Sequence, residues 1–115
     1  MSDYHELPEY LAEKTRGQVR ALNSLKEGIE AVDWYNQRVA ATEDPELKQI
    51  LEHNRDEEIE HCAMLLEYLR RNMDAWDDEL STYLFTSDNI LEVEEKGEAG
   101  EEEESAGDDL GIGQL

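Results

Sequence analysis

The sequence predicts an all-α protein, a two-helix hairpin that pairs with a second copy to close a four-helix bundle. Three observations predict it. Apolar residues recur at steps of three and four along two long stretches, with no strand-like alternation in the first of them. A short Asp44-Pro45 punctuation separates the two stretches. Hydrophobic residues make up only 38% of the 115 and aromatics 7%, which is low for so small a domain standing alone, so a partner subunit is expected to complete the core.

The elements follow in order. Pro8 suits the first turn of a helix, where a missing N–H costs nothing. Leu11, Leu22, Leu25, Ile29, Val32 and Val39 then form one buried stripe. Asp44 supplies an N-cap and Pro45 a first-turn proline for the second helix, whose stripe is Leu47, Ile50, Leu51, Leu65, Tyr68 and Leu69, ending near Arg71-Asn72. Each long helix would run about 40–50 Å at 1.5 Å per residue. Trp76, Leu80, Tyr83 and Leu84 mark a shorter third helix. A single hairpin buries each stripe only against something else, hence the dimeric bundle.

Charge divides the chain further. It holds 31 acidic and 10 basic residues, a net charge of -21. Such a surface repels nucleic acid and anionic membrane, and no apolar run approaches the ~20 residues of a membrane span. The start lacks the basic and apolar regions of a signal peptide, and Cys62 is the single cysteine, so a cytoplasmic protein without internal disulfides is expected. Residues 1–91 read as the helical domain. Residues 92–109, with Glu101–Glu104 and almost nothing apolar after Val93, read as a disordered acidic linker. Residues 110–115, Leu-Gly-Ile-Gly-Gln-Leu, restore aliphatic side chains and read as a short docking peptide.

Chemistry concentrates on Glu58 and His61. At 100° per residue they lie within about 60° of each other, on the apolar stripe of the second helix. A carboxylate on a buried face is costly unless it is paired or binds a metal, and Glu-x-x-His is the inward-facing pair of bundle-type di-iron carboxylate proteins. Carboxylate oxygen and imidazole nitrogen together suit iron or manganese. Asn54 shares that face as a polar core residue. On the first helix, Glu27, Glu30 and Trp34 gather on the side away from Leu25, Ile29 and Val32, where the two glutamates form either an acidic surface site for cations or a solvated face. Gly28 lies at the edge of the stripe, and Tyr35 either packs or reaches the metal. His5 and His53 read as surface residues, and Cys62 as a packing residue. No phosphate loop and no Ser/His/Asp set is present.

Glu-Ala-Val-Asp-Trp-Tyr (30–35), His-Asn-Arg-Asp-Glu-Glu (53–58), Glu-His (60–61) and Tyr-Leu-Phe-Thr (83–86) resemble the encapsulated ferritins, and the closing Leu-Gly-Ile-Gly resembles their encapsulation peptide. The resemblance implies a ferritin-like fold in which each chain gives half a four-helix bundle. It further implies homodimers assembled into a ring, and a di-iron ferroxidase centre (Fe) at the dimer interface. It implies an encapsulin shell as partner, docked through Leu110, Gly111, Ile112 and Gly113, with the protein inside that nanocompartment. By position it makes Glu58 and His61 iron ligands and catalytic residues, Tyr35 their neighbour, and Glu27, Glu30 and Trp34 a peripheral metal-entry site. The family's first-helix glutamate aligns with Gly28. Two functions follow: a ferroxidase oxidising Fe(II) with O₂ or peroxide for mineral storage, or a non-catalytic metal-binding cargo whose centre is incomplete at Gly28. A dimer in which Glu58 and His61 are only a buried hydrogen-bonded pair is the third reading.

Overall fold

The computed structural model describes residues 4–109, and the side chains of residues 4–100. Among the described residues the regular structure is entirely helical, in two compact units, residues 1–74 and 75–115.

The first unit is the expected hairpin, with α1 at Glu13–Ala41 and α2 at Pro45–Asn72. Pro8 does not start α1. It opens a single 3-10 turn, Pro8–Tyr10, and Leu11 and Ala12 then run extended before α1 begins. The Arg16 side chain donates to the Pro8 carbonyl and ties this turn to the first turns of α1. At the start of α2, the Asp44 carboxylate accepts from the Glu46 and Leu47 amides at 3.0 and 3.4 Å, as its N-cap role requires. At the other end, the Met73 amide reaches back to the Leu69 carbonyl and closes the helix.

The two helices run antiparallel. Arg55 on α2 donates to the Asn36 side chain near the connection, and the Gln18 amide donates to the Asn72 carbonyl at the open end. The buried residues of the hairpin are Ala21, Leu25, Gly28 and Val39 on α1 and Leu69 on α2. Of the expected α1 stripe, Leu25 and Val39 are buried within the single chain. Leu22 and Ile29 are exposed, Ile29 at 57%, because α1 turns its small residues toward α2 so that the backbones approach closely. Gly28 is accordingly inside the helix contact, not at its edge. On α2, Leu47, Ile50 and Tyr68 are likewise exposed. The hairpin thus carries an open apolar seam in a single chain.

The second unit contains α3, Asp74–Tyr83, the expected third helix, and α4, Ile90–Asp109. Glutamate, alanine and lysine, strong helix formers, fill much of α4. Asn89 caps α4 through its side chain to the Leu91 amide at 3.0 Å, and Lys96 pairs with Asp88 at 2.8 Å. After α3 the chain turns through Phe85, fully exposed at φ 62°, a left-handed backbone that a bulky residue seldom adopts. The expected docking peptide, residues 110–115, lies outside the described residues.

Candidate metal centre

α2 brings Glu58 and His61 together as its periodicity requires. The Glu58 Oε2 and His61 Nδ1 atoms are 3.7 Å apart, with the side chains 31% and 52% exposed. That distance is too long for a hydrogen bond, so the pair leaves its lone pairs free for a shared ion. Leu47, Ile50, Glu58, His61 and Tyr68 follow one another at helical spacing, which places the pair midway along the open seam. The expected burial of the pair is therefore not met within one chain; the face is half-open.

The structure adds two donors that the sequence reading passed over. Glu57, Glu60 and His61 each offer a ligand atom, all within 4.8 Å of one another, and all three residues are exposed. Their i, i+3, i+4 spacing is visible in the sequence, but these carboxylates lie beside the apolar stripe, not on it. His61 belongs to both groupings. His53 is exposed, its Nε2 3.7 Å from Glu57, and His5 is exposed as well; neither joins the Glu58–His61 pair.

On α1 the residues fall differently. Glu27, Glu30 and Trp34 are exposed on one face, as expected of a surface site, but they are not brought to Glu58. Tyr35 is half-buried, with the Arg38 guanidinium 5.2 Å above its ring, a cation–π contact. Asn54 is half-buried.

Cys62 packs into the α1–α2 contact against Gly28. Burial first, and then the charge of Glu58, push its thiol above the ordinary value, so it stays protonated at neutral pH. Farther along α2, Arg70 and Arg71 both hold Glu67, at 2.7 and 2.6 Å. Those hydrogen bonds pull its carboxyl down to about 2. The Glu67 cluster is a fully committed ion network, in contrast to the uncommitted Glu58 and His61.

The donor set fits a hard or borderline ion: carboxylate oxygens and one imidazole within a single helical turn, reachable from solvent. One chain alone supplies few ligands, and the open seam allows a second chain to bring its own.

The chain is similar to several known proteins. A ferritin-like protein of Thermotoga maritima is 60% identical over 112 residues, 97% of this chain and 96% of the relative. An encapsulated ferritin-like protein of Rhodospirillum rubrum is 56% identical over 97 residues, 84% of this chain and 69% of the relative. The crystal structure of protein ne0167 from Nitrosomonas europaea superposes with a TM-score of 0.74 at 56% identity, covering 77% of this chain and 98% of that one. The protein-family model described as EncFtn-like matches residues 3–87. The chain belongs to the EncFtn-like family: its fold is ferritin-like, and its function is iron-related.

Proposed function

We propose that the protein is a ferroxidase that oxidises Fe(II) to Fe(III) for mineral storage inside an encapsulin shell. The observation that carries this reading is the Glu58–His61 pair, 3.7 Å apart and unspent on each other, in the middle of an apolar seam that a single chain leaves open. A second copy laid on the seam brings another Glu58 and His61, and the homodimer then encloses iron between two carboxylates and two imidazoles. Further dimers build the ring. Family membership and the name of the Rhodospirillum rubrum relative support the encapsulated setting, with Leu110–Gly113 as docking peptide and the cytoplasm as the compartment that holds the shell.

Iron enters as the substrate. Glu27 and Glu30, exposed beside Trp34, attract the cation to the surface, and so do the exposed Glu57 and Glu60. Glu58 binds through hard oxygen and favours the higher charge of Fe(III), which lowers the cost of oxidation. His61 completes the donor set with an imidazole nitrogen 3.7 Å from the Glu58 carboxylate. Each Fe(II) gives one electron to O₂ or peroxide, since none of these side chains can accept it. Water supplies the protons that the reduced oxygen takes up.

One observation favours a second reading. Position 28, where α1 meets the Glu58–Cys62 turn, carries no side chain and no free volume. A cargo that binds metal without oxidising it would have such a centre. Anaerobic Fe(II) titration followed by stopped-flow absorbance on adding air separates the two. Ferroxidase activity predicts fast Fe(III) formation that Glu58→Ala and His61→Ala each slow by about tenfold or more, with the fold retained. Fe(II) bound at the Glu58–His61 pair but oxidised no faster than in buffer would establish the non-catalytic cargo.

A further inference from the structure

Position 28 is a point where the hairpin excludes a side chain. A Cβ built on Gly28 stands 2.7 Å from Cys62 Sγ, far inside van der Waals contact. Among the described residues, no other atom comes within 4 Å of that point, apart from the flanking residues and the backbone of α1 itself. The thiol is therefore the whole obstruction. Gly17, farther along α1, is different: a Cβ there would meet the Tyr68 hydroxyl at 3.4 Å, an ordinary contact. Cys62 follows His61 directly and lies one turn after Glu58, so the volume its sulfur fills adjoins the metal-binding pair.

We infer that Cys62 is a specificity-determining residue of this centre: its sulfur keeps position 28 free of a side chain and thereby sets the share of ligands that α1 can contribute. The ligand half of this inference rests on the reading of Glu58 and His61 as iron-binding; the steric half does not. A side chain at 28 in the native background must turn the thiol out of the gap or part the two helices. Cys62→Ala takes away the sulfur and leaves only Cβ, which removes the only obstruction, because no other atom of Cys62 lies within 4 Å of the new Cβ.

The test uses the full-length chain in a double-mutant cycle. Alanine is a better helix former than glycine, so Gly28→Ala should stabilise α1 wherever the space permits. The steric inference predicts a change of sign. Gly28→Ala lowers Tm when Cys62 is present, and in the Cys62→Ala background the same change raises Tm by roughly 4 °C or more. A rise in both backgrounds would mean that the thiol yields freely, and would overturn the inference. Anaerobic Fe(II) titration reads the ligand half. Gly28→Glu combined with Cys62→Ala should bind more Fe(II) per dimer, or bind it at least about tenfold more tightly, than Cys62→Ala alone. Equal binding by a folded double variant overturns that half. Failure of the iron reading itself looks different: the wild type binds no Fe(II) while the reversal in Tm persists.

Discussion

α1 and α2 pass each other over most of their length, yet they bring unequal things to the same contact. α2 has defined ends, with the Asp44 side chain capping its start and the Glu67–Arg70–Arg71 network bracing its last turns. It also carries Glu58 and His61. α1 begins at Glu13, where Ala12 before it offers no side-chain cap, and it contributes small residues, Ala21 and Gly28, that let the helices close. The difference teaches that a candidate metal centre can sit on the better-anchored helix while its neighbour supplies proximity. Glu58 and His61 are positioned by rigid α2 backbone, and α1 shapes the space beside them.

The comparison can be broken at its strongest point. Leu69 is fully buried on α2, and Leu69→Ala should destabilise the protein by about 2–5 kcal/mol, measured by urea unfolding. Ile29→Ala, on the exposed side of α1, should cost far less in a monomer. If Ile29→Ala proves comparably costly, the seam is covered in solution, as the dimer requires.

A milder pair of changes sharpens the asymmetry of the ends. Asp44→Ala removes the cap of α2 and should cost about 1 kcal/mol. Ala12 already has the extended backbone of an N-cap residue, φ -63° and ψ 154°, so Ala12→Ser should give α1 about 0.5–1 kcal/mol by thermal unfolding. A loss there would mean that the Pro8–Tyr10 turn, held by Arg16, needs alanine at that site.

The smallest effect belongs to Glu67. Its carboxyl lies near 2 in the fold against 4.5 ordinarily, so its contribution is complete above 4.5 and is lost as pH falls toward 2. The Tm difference between wild type and Glu67→Gln should therefore narrow across that window. Because the ion network is exposed, it should also shrink in concentrated salt. A difference that is independent of pH would point to packing by the Glu67 stem.

Much of this was legible beforehand. Asp44-Pro45 announces its cap, Arg71-Asn72 its stop, and Glu58 with His61 their shared face, because each signal is local and repeats with the helical period. The orientation of α1 was not legible. Leu22 and Ile29 sit one residue after Ala21 and Gly28, and a count of large apolar residues favours the leucine and isoleucine. Close helix approach selects the small pair instead, a tertiary preference that no local pattern carries. The thiol against Gly28 is invisible for the same reason, since residues 28 and 62 become neighbours only through the hairpin. Glu57 and Glu60 lie beside the apolar stripe, where no burial pattern marks them among the many acidic residues.

The brevity of the link between α1 and α2, three residues from Thr42 to Asp44, bears on how the chain reaches its fold. The Asn36–Arg55 contact closes a loop of 19 residues and the Gln18–Asn72 contact one of 54. Closing the longer loop first would cost about 0.9 kcal/mol more in chain entropy. Folding is thus expected to zip outward from the connection, with residues 28 and 62 meeting partway along. Changes near the free ends should then alter how fast the hairpin opens more than how fast it forms.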